Sequence, residues 1–164
     1  IAFAALVGLV WLWMAKRKIE PNTVIKFGLA FVFLAGGFWV FYNTQFFADS
    51  IGKTSLGIFT FGWLVITFGE LCLSPIGMSA MTKLSPQKTQ AVIMGMWFLA
   101  SAYGQYFAGL LGANIAEASE NATNFEKLVV YTDGYKQLAI YALIAGLVLI
   151  IISPFVKKLM QGVK

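Results

Sequence analysis

Glu70 stands in the stretch GELCLSPIGM, preceded by FTFGWLVITF and followed by SAM. It is the one carboxylate of a long apolar run. On insertion scales a charge at the centre of a membrane helix costs about 2.5–3.5 kcal/mol, and such a residue faces a bundle interior or a watery cavity. A carboxylate in that position can do two things. It can take up a proton, or it can hold a cation. A site whose neighbour alternates between apolar surface and a positive charge does each in turn.

Two stripes of side chains belong with it. Trp63, Thr67, Glu70, Ser74 and Gly77 recur at helical spacing and share one face. Pro75 follows Ser74 and removes the backbone hydrogen bond to Leu71, which predicts a kink. With Gly69 and Gly77 nearby, the kink suits a helix that bends during gating. An ordinary transmembrane proline fits equally. For Glu70 the rival reading is a structural ion pair with a lysine on another helix. The second stripe is Trp97, Ser101, Gly104 and Ala108. A large ring, a hydroxyl and two small residues line a cavity or form a packing seam, since small residues let helices approach closely. Gly104, Gly109 and Gly112 are expected to pack.

Other chemistries are excluded by residue type. There is no histidine, so imidazole cannot carry protons, and the lone Cys72 allows no internal disulfide. No His/Cys metal cluster, nucleophile–His pair or lysine-bearing phosphate loop is present. The sequence therefore predicts no enzyme, no metal and no cofactor. A nucleic-acid site needs a clustered basic face with aromatics, and none occurs.

The elements that position these residues follow from composition. Of 164 residues, 59% are hydrophobic and only 12% charged, far from the soluble balance of about 45–50% and about 25%. The chain reads as an all-α membrane protein, because isolated spans in lipid must satisfy their backbone groups internally. Apolar runs cover about 1–15, 24–42, 56–83, 89–112 and 137–156. The first is shorter than the roughly 20 residues a bilayer needs. Since the chain also begins with Ile, it is expected to be a piece of a longer membrane protein. The last run has almost no polar side chains and is expected to be lipid-facing scaffold.

The connections alternate in charge. The first, KRKIEPNTVIK, the third, KLSPQK, and the C-terminal tail hold nine of the twelve basic residues. The other side, where the fourth connection runs from 114 to 136, holds three basic and five acidic residues. The positive-inside rule puts the basic side, and the C-terminus, in the cytoplasm. Asn121-Ala-Thr123 fits a glycosylation sequon, as three-residue patterns often do by chance.

KIEPNTVIKFGLA, FGELCLSPIGMSAMTKLSP and AVIMGMWFLASAYGQYFAG closely resemble the last third of the proton-coupled oligopeptide transporters, a family of the major facilitator superfamily. The resemblance covers nearly the whole chain. It implies the end of helix 8 and helices 9 to 12, part of the C-terminal six-helix bundle. It implies that Glu70 holds the free amino group of a di- or tripeptide and pairs at other times with a lysine of the N-terminal half. Trp97 matches a pocket-lining tryptophan, with Ser101 beside it and Ser74 in the same site. Met78 and Phe98 match the hydrophobic layer that closes the pocket from the cytoplasm, Met78 replacing a frequent leucine. The implied partners are peptides, protons, the N-terminal bundle with helix 7, and the bilayer of the cell's inner membrane. The motifs of helices 1, 4 and 7 have no counterpart in the chain.

Two other functions compete. One is a transporter of the same architecture for another small solute, such as nitrate or an organic acid; an anion would be repelled by an ionised Glu70. The other is a small membrane subunit that binds a partner through its glycine seams.

Overall fold

The structure, a computed structural model, describes residues 2–115 and 122–159. Among them five α-helices follow one another: α1 Ala2–Lys16, α2 Thr23–Asn43, α3 Leu56–Leu84, α4 Gln90–Ile115 and α5 Asn124–Leu159. A 3₁₀ turn, Thr44–Phe47, extends α2. By length and composition, 23–47, α3 and α5 can cross a membrane. α4 is 26 residues long and carries no charged side chain.

Helix ends are set by local chemistry. Asn22 caps α2, its side-chain oxygen accepting from the Ile25 amide at 2.8 Å. α1 ends with the Ile19 amide donating to the Met14 carbonyl and the Lys18 amide to Ala15, while Lys18 adopts a left-handed φ of 58°. That is the Schellman pattern, with a lysine where glycine is usual. α5 starts at Asn124, well before the run at 137–156, so part of the fourth connection is helix. The Thr123 hydroxyl accepts from the Glu126 amide, and Glu126 accepts from the Thr123 amide at 2.8 Å. This reciprocal capping box satisfies two donors that a helix start leaves open. Asn121, Glu117, Glu120 and Lys164, used in the sequon and charge arguments, lie outside the described residues.

α2 is the centre, packed on α3 along one side and on α5 along the other. Small residues make both contacts. A Cβ on Gly28 would stand 3.1 Å from the Gly146 carbonyl oxygen, and one on Gly37 would stand 3.0 Å from that of Gly62. The backbones therefore touch, with Ala30, Ala35, Ala139 and Ala142 buried between them. α5 packs on α2 through its small residues and leaves large apolar side chains such as Leu147 and Ile151 exposed. Gly104, Gly109 and Gly112 of α4 meet nothing within 4 Å among the described residues, whose close seams lie on α2, α3 and α5.

Lys26 corrects the sequence reading. Grouped with a connection by sequence, it belongs to α2 and is 6% exposed. Its ammonium pairs with Glu20 and lies 4.8 Å from the centre of the Trp11 ring. A charge so buried needs such a partner. Beside it, the Asn22 amide donates to Ser153 of α5 at 2.7 Å, which ties the start of α2 to the end of the chain.

Candidate functional site

The residues singled out by sequence lie on α3 and the first half of α4. α3 runs through Pro75 as one helix. Seen along it, Trp63, Thr67, Glu70 and Ser74 are exposed, while Gly77 is buried. The hydroxyl of Thr67 donates to the Trp63 carbonyl at 2.9 Å. Trp63 packs edge-on against Phe41 and Phe59, with ring centres 5.9 and 6.4 Å away.

Glu70 borders a small recess lined by Ala30, Phe31 and Leu34 of α2 and by Gly69 and Leu73 of its own helix. The recess exists because α3 comes close to α2 at Gly69, where a Cβ would stand 2.8 Å from the Ala30 carbonyl oxygen. Among the described residues, Glu70 has no hydrogen-bond or ion-pair partner. The only ion pair among them is Lys26–Glu20. Among the described residues, then, no lysine supplies the structural ion pair of the rival reading.

Trp97 is half-buried on α4. Its six-membered ring lies on Gly77, and Phe27 of α2 flanks it with ring centres 6.5 Å apart. One turn on, the Ser101 hydroxyl donates to the Trp97 carbonyl at 3.0 Å, leaving its lone pairs free to accept. The arrangement brings Trp97 onto the α3 stripe but links neither it nor Ser101 to Glu70 or Ser74 by a hydrogen bond among the described residues. Met78 and Phe98 are 36% and 59% exposed, so neither is covered within this chain. Pro75 is exposed on the same helix.

The face as a whole presents a negative end, a hydroxyl and an aromatic plate. Such a surface can orient a cationic group by charge, because a charge-assisted contact is about twice as strong as a neutral one. It can take varied apolar groups on the ring without fixed hydrogen bonds. Sequence reasoning missed the aromatic flank, Phe27, since nothing in its spacing tied it to α4.

Comparison with known proteins gives the family and the fold. Residues 1–130 match the family model described as PTR2, POT family. The chain is 33% identical to the peptide transporter YePEPT of Yersinia enterocolitica, over 93% of the chain and 29% of that protein. It is 31% identical to dipeptide and tripeptide permease A of Chromobacterium violaceum, over 82% of the chain and 27% of the permease. Among solved structures, tetrameric PepTSo2 superposes with a TM-score of 0.72 at 24% identity, covering 96% of this chain and 31% of that one. A bacterial homologue of the human drug peptide transporters PepT1 and PepT2 superposes at 0.68 with 27% identity, covering 94% of this chain and 30% of that one. The chain thus spans less than a third of the length of the relatives it matches.

Proposed function

Because the chain belongs to the POT family, a family of transporters rather than enzymes, we propose that it is part of a proton-driven importer of di- and tripeptides. The protein is a multi-pass membrane protein with the expected all-α transporter fold. In our reading it sits in the cell's inner membrane with the C-terminus in the cytoplasm. Glu70 receives the peptide's ammonium group. Ser74 and Ser101 offer hydroxyls to its backbone, and Trp97 forms the wall against which side chains lie. Met78 and Phe98 close the site from the cytoplasmic side, and Pro75 lets α3 bend.

One observation carries the reading most directly. Among the described residues Glu70 is an unpartnered carboxylate on an exposed face of an apolar helix, with a tryptophan seated further along that face. A ligand's ammonium, or in its absence a lysine from the other half of the transporter, meets that charge within the membrane. Competition between them for Glu70 would shift the balance of outward- and inward-open states, as alternating access requires.

The test uses the full-length protein in proteoliposomes, with labelled dipeptide and an acidic exterior. Uptake is expected, and it should collapse when the proton gradient is removed. A hydrogen bond to a charged group contributes about 1.5–3 kcal/mol, so Glu70→Gln should weaken dipeptide binding by about 10- to 100-fold while the protein still folds. Unchanged dipeptide affinity in that variant would sink the assignment of Glu70. Uptake indifferent to the gradient would sink proton coupling.

A further inference from the structure

Trp97 is held by a contact that its own helix does not make. A Cβ built on Gly77 would lie 2.2 Å from Cη2, 2.7 Å from Cζ2 and 2.9 Å from Cζ3 of the Trp97 ring. All three atoms belong to the six-membered ring of the indole. No real Cβ sits that close to a neighbour, so the ring occupies the volume that any side chain at position 77 would need. Phe27 of α2 flanks the ring. The glycines of α4 itself, Gly95, Gly104, Gly109 and Gly112, meet nothing within 4 Å among the described residues, and nearer its start α4 meets α3 where the Gln90 amide donates to the Thr82 carbonyl at 3.2 Å.

The seat also has a place along α3. Gly77 follows Glu70 by seven residues, which is two helical turns and nearly the same angular position. At 1.5 Å per residue the two are about 10 Å apart along the axis, with Ser74 between them. A ring lying on Gly77 therefore lies at the end of the line that begins with the Glu70 carboxylate.

We infer that Gly77 is a positioning residue for ligand selectivity: by lacking a side chain it seats the Trp97 ring flat on α3 and keeps clear the space in front of Ser74 and Glu70. This rests on the peptide-binding reading above and adds to it a residue that touches no ligand. A methyl at position 77 lifts the ring away from the α3 axis. With Phe27 on its flank, the displaced ring moves towards the space that the stripe faces. Ligands with large side chains lose that room first.

The experiment compares Ala-Ala and Phe-Ala binding to the full-length protein with Gly77 or Ala at position 77 and Trp or Phe at position 97. Gly77→Ala is expected to weaken Phe-Ala about tenfold more than Ala-Ala, the scale of one misplaced methyl group in a pocket. Glu70→Gln should weaken the two ligands alike. Phe at position 97 lacks the outer atoms that meet the methyl, so adding Trp97→Phe to Gly77→Ala should abolish the extra loss. Thermal midpoints of the same four proteins give a readout independent of ligand, and there too the two substitutions should be strongly non-additive.

Equal losses for both dipeptides, or additive effects in both measurements, would overturn the inference and leave the peptide reading intact. Failure of the unsubstituted protein to bind either dipeptide would remove the reading itself, and with it this role for Gly77. Should Gly77→Ala alone not fold, the double variant still decides. Recovery of folding and of Phe-Ala binding supports the seat, and continued failure overturns it.

Discussion

Gly36 and Gly37 are neighbours in α2, yet the same substitution should have opposite effects at the two positions. Replacing a helical glycine by alanine gains about 0.5–1 kcal/mol from reduced freedom of the unfolded chain. At Gly36 the new Cβ would lie 3.6 Å from Val65 Cγ1, an ordinary contact, so the gain should appear almost whole. At Gly37 it would lie 2.4 Å from Ile66 Cγ1 and 3.0 Å from the Gly62 carbonyl oxygen. The Ile66 side chain can turn, but the carbonyl belongs to the α3 backbone and moves only with the helix. Overpacking of this kind costs about 1–3 kcal/mol. The net effect at Gly37 is thus a loss of up to about 2.5 kcal/mol after the propensity gain. Cys72 is free and 5% exposed, so a thiol-reactive dye reports its release as purified protein is heated in detergent. Gly36→Ala should raise the midpoint and Gly37→Ala should lower it. Shifts of the same sign at both positions would refute the claim that α2 and α3 meet backbone to backbone at Gly37.

Two further outcomes follow from charged groups. Lys26→Met leaves Glu20 without its partner in a site where the lysine is 7% and the carboxylate 25% exposed by side chain; a loss of about 1–3 kcal/mol is expected, below the fully buried range of about 3–5 because Glu20 keeps some water. Adding Glu20→Gln should recover most of that loss in the same melting assay, and no recovery would show that the ammonium's packing on Trp11 mattered more than the pair. Asp49 lies outside the spans, and the Lys53 amide that donates to it at 2.8 Å, with Ile51 at 3.0 Å, holds its carboxyl below the ordinary carboxylate value. A depressed carboxyl stabilises the 49–53 turn above its unfolded value and loses that contribution as pH falls through the folded one. The protection factors of the Ile51 and Lys53 amides, taken relative to intrinsic exchange at each pH, should therefore fall as Asp49 is protonated, and Asp49→Asn should flatten the dependence.

The exposed face of α3 was more legible in the sequence than the packing. Glu70 stood out because a lone carboxylate in an apolar run has few explanations, and the stripe from Trp63 to Gly77 follows from helical spacing alone. The choice of partners is a tertiary matter. The glycines of α2 and α4 look alike on paper, yet Gly28 and Gly37 touch neighbouring backbone while Gly104 and Gly109 do not. Lys26 looked like a connection charge because its partner, Glu20, reaches it only through the fold of the 17–22 turn. The early start of α5 did have a local signal. Thr123-Asn-Phe-Glu126 is a capping-box sequence, but Asp133 and Lys136 beyond it gave the segment the polarity of a loop.

Asn22 and Ser153 are 131 residues apart, and the hydrogen bond between them closes the α2–α5 side of the bundle. Synthesis runs in the other sense. α3 follows α2 closely and can cover one side of it early, while the side holding Gly28 waits for α5 to be made. Contacts between distant parts of a chain form late, because the loop between them must be ordered first. During that interval Asn22 has no Ser153 to donate to, and the Gly28 surface faces lipid or whatever else attends the growing chain. An open α2 flank is thus the feature by which an unfinished chain differs from a finished one, and a nascent protein interrupted before α5 would carry it permanently.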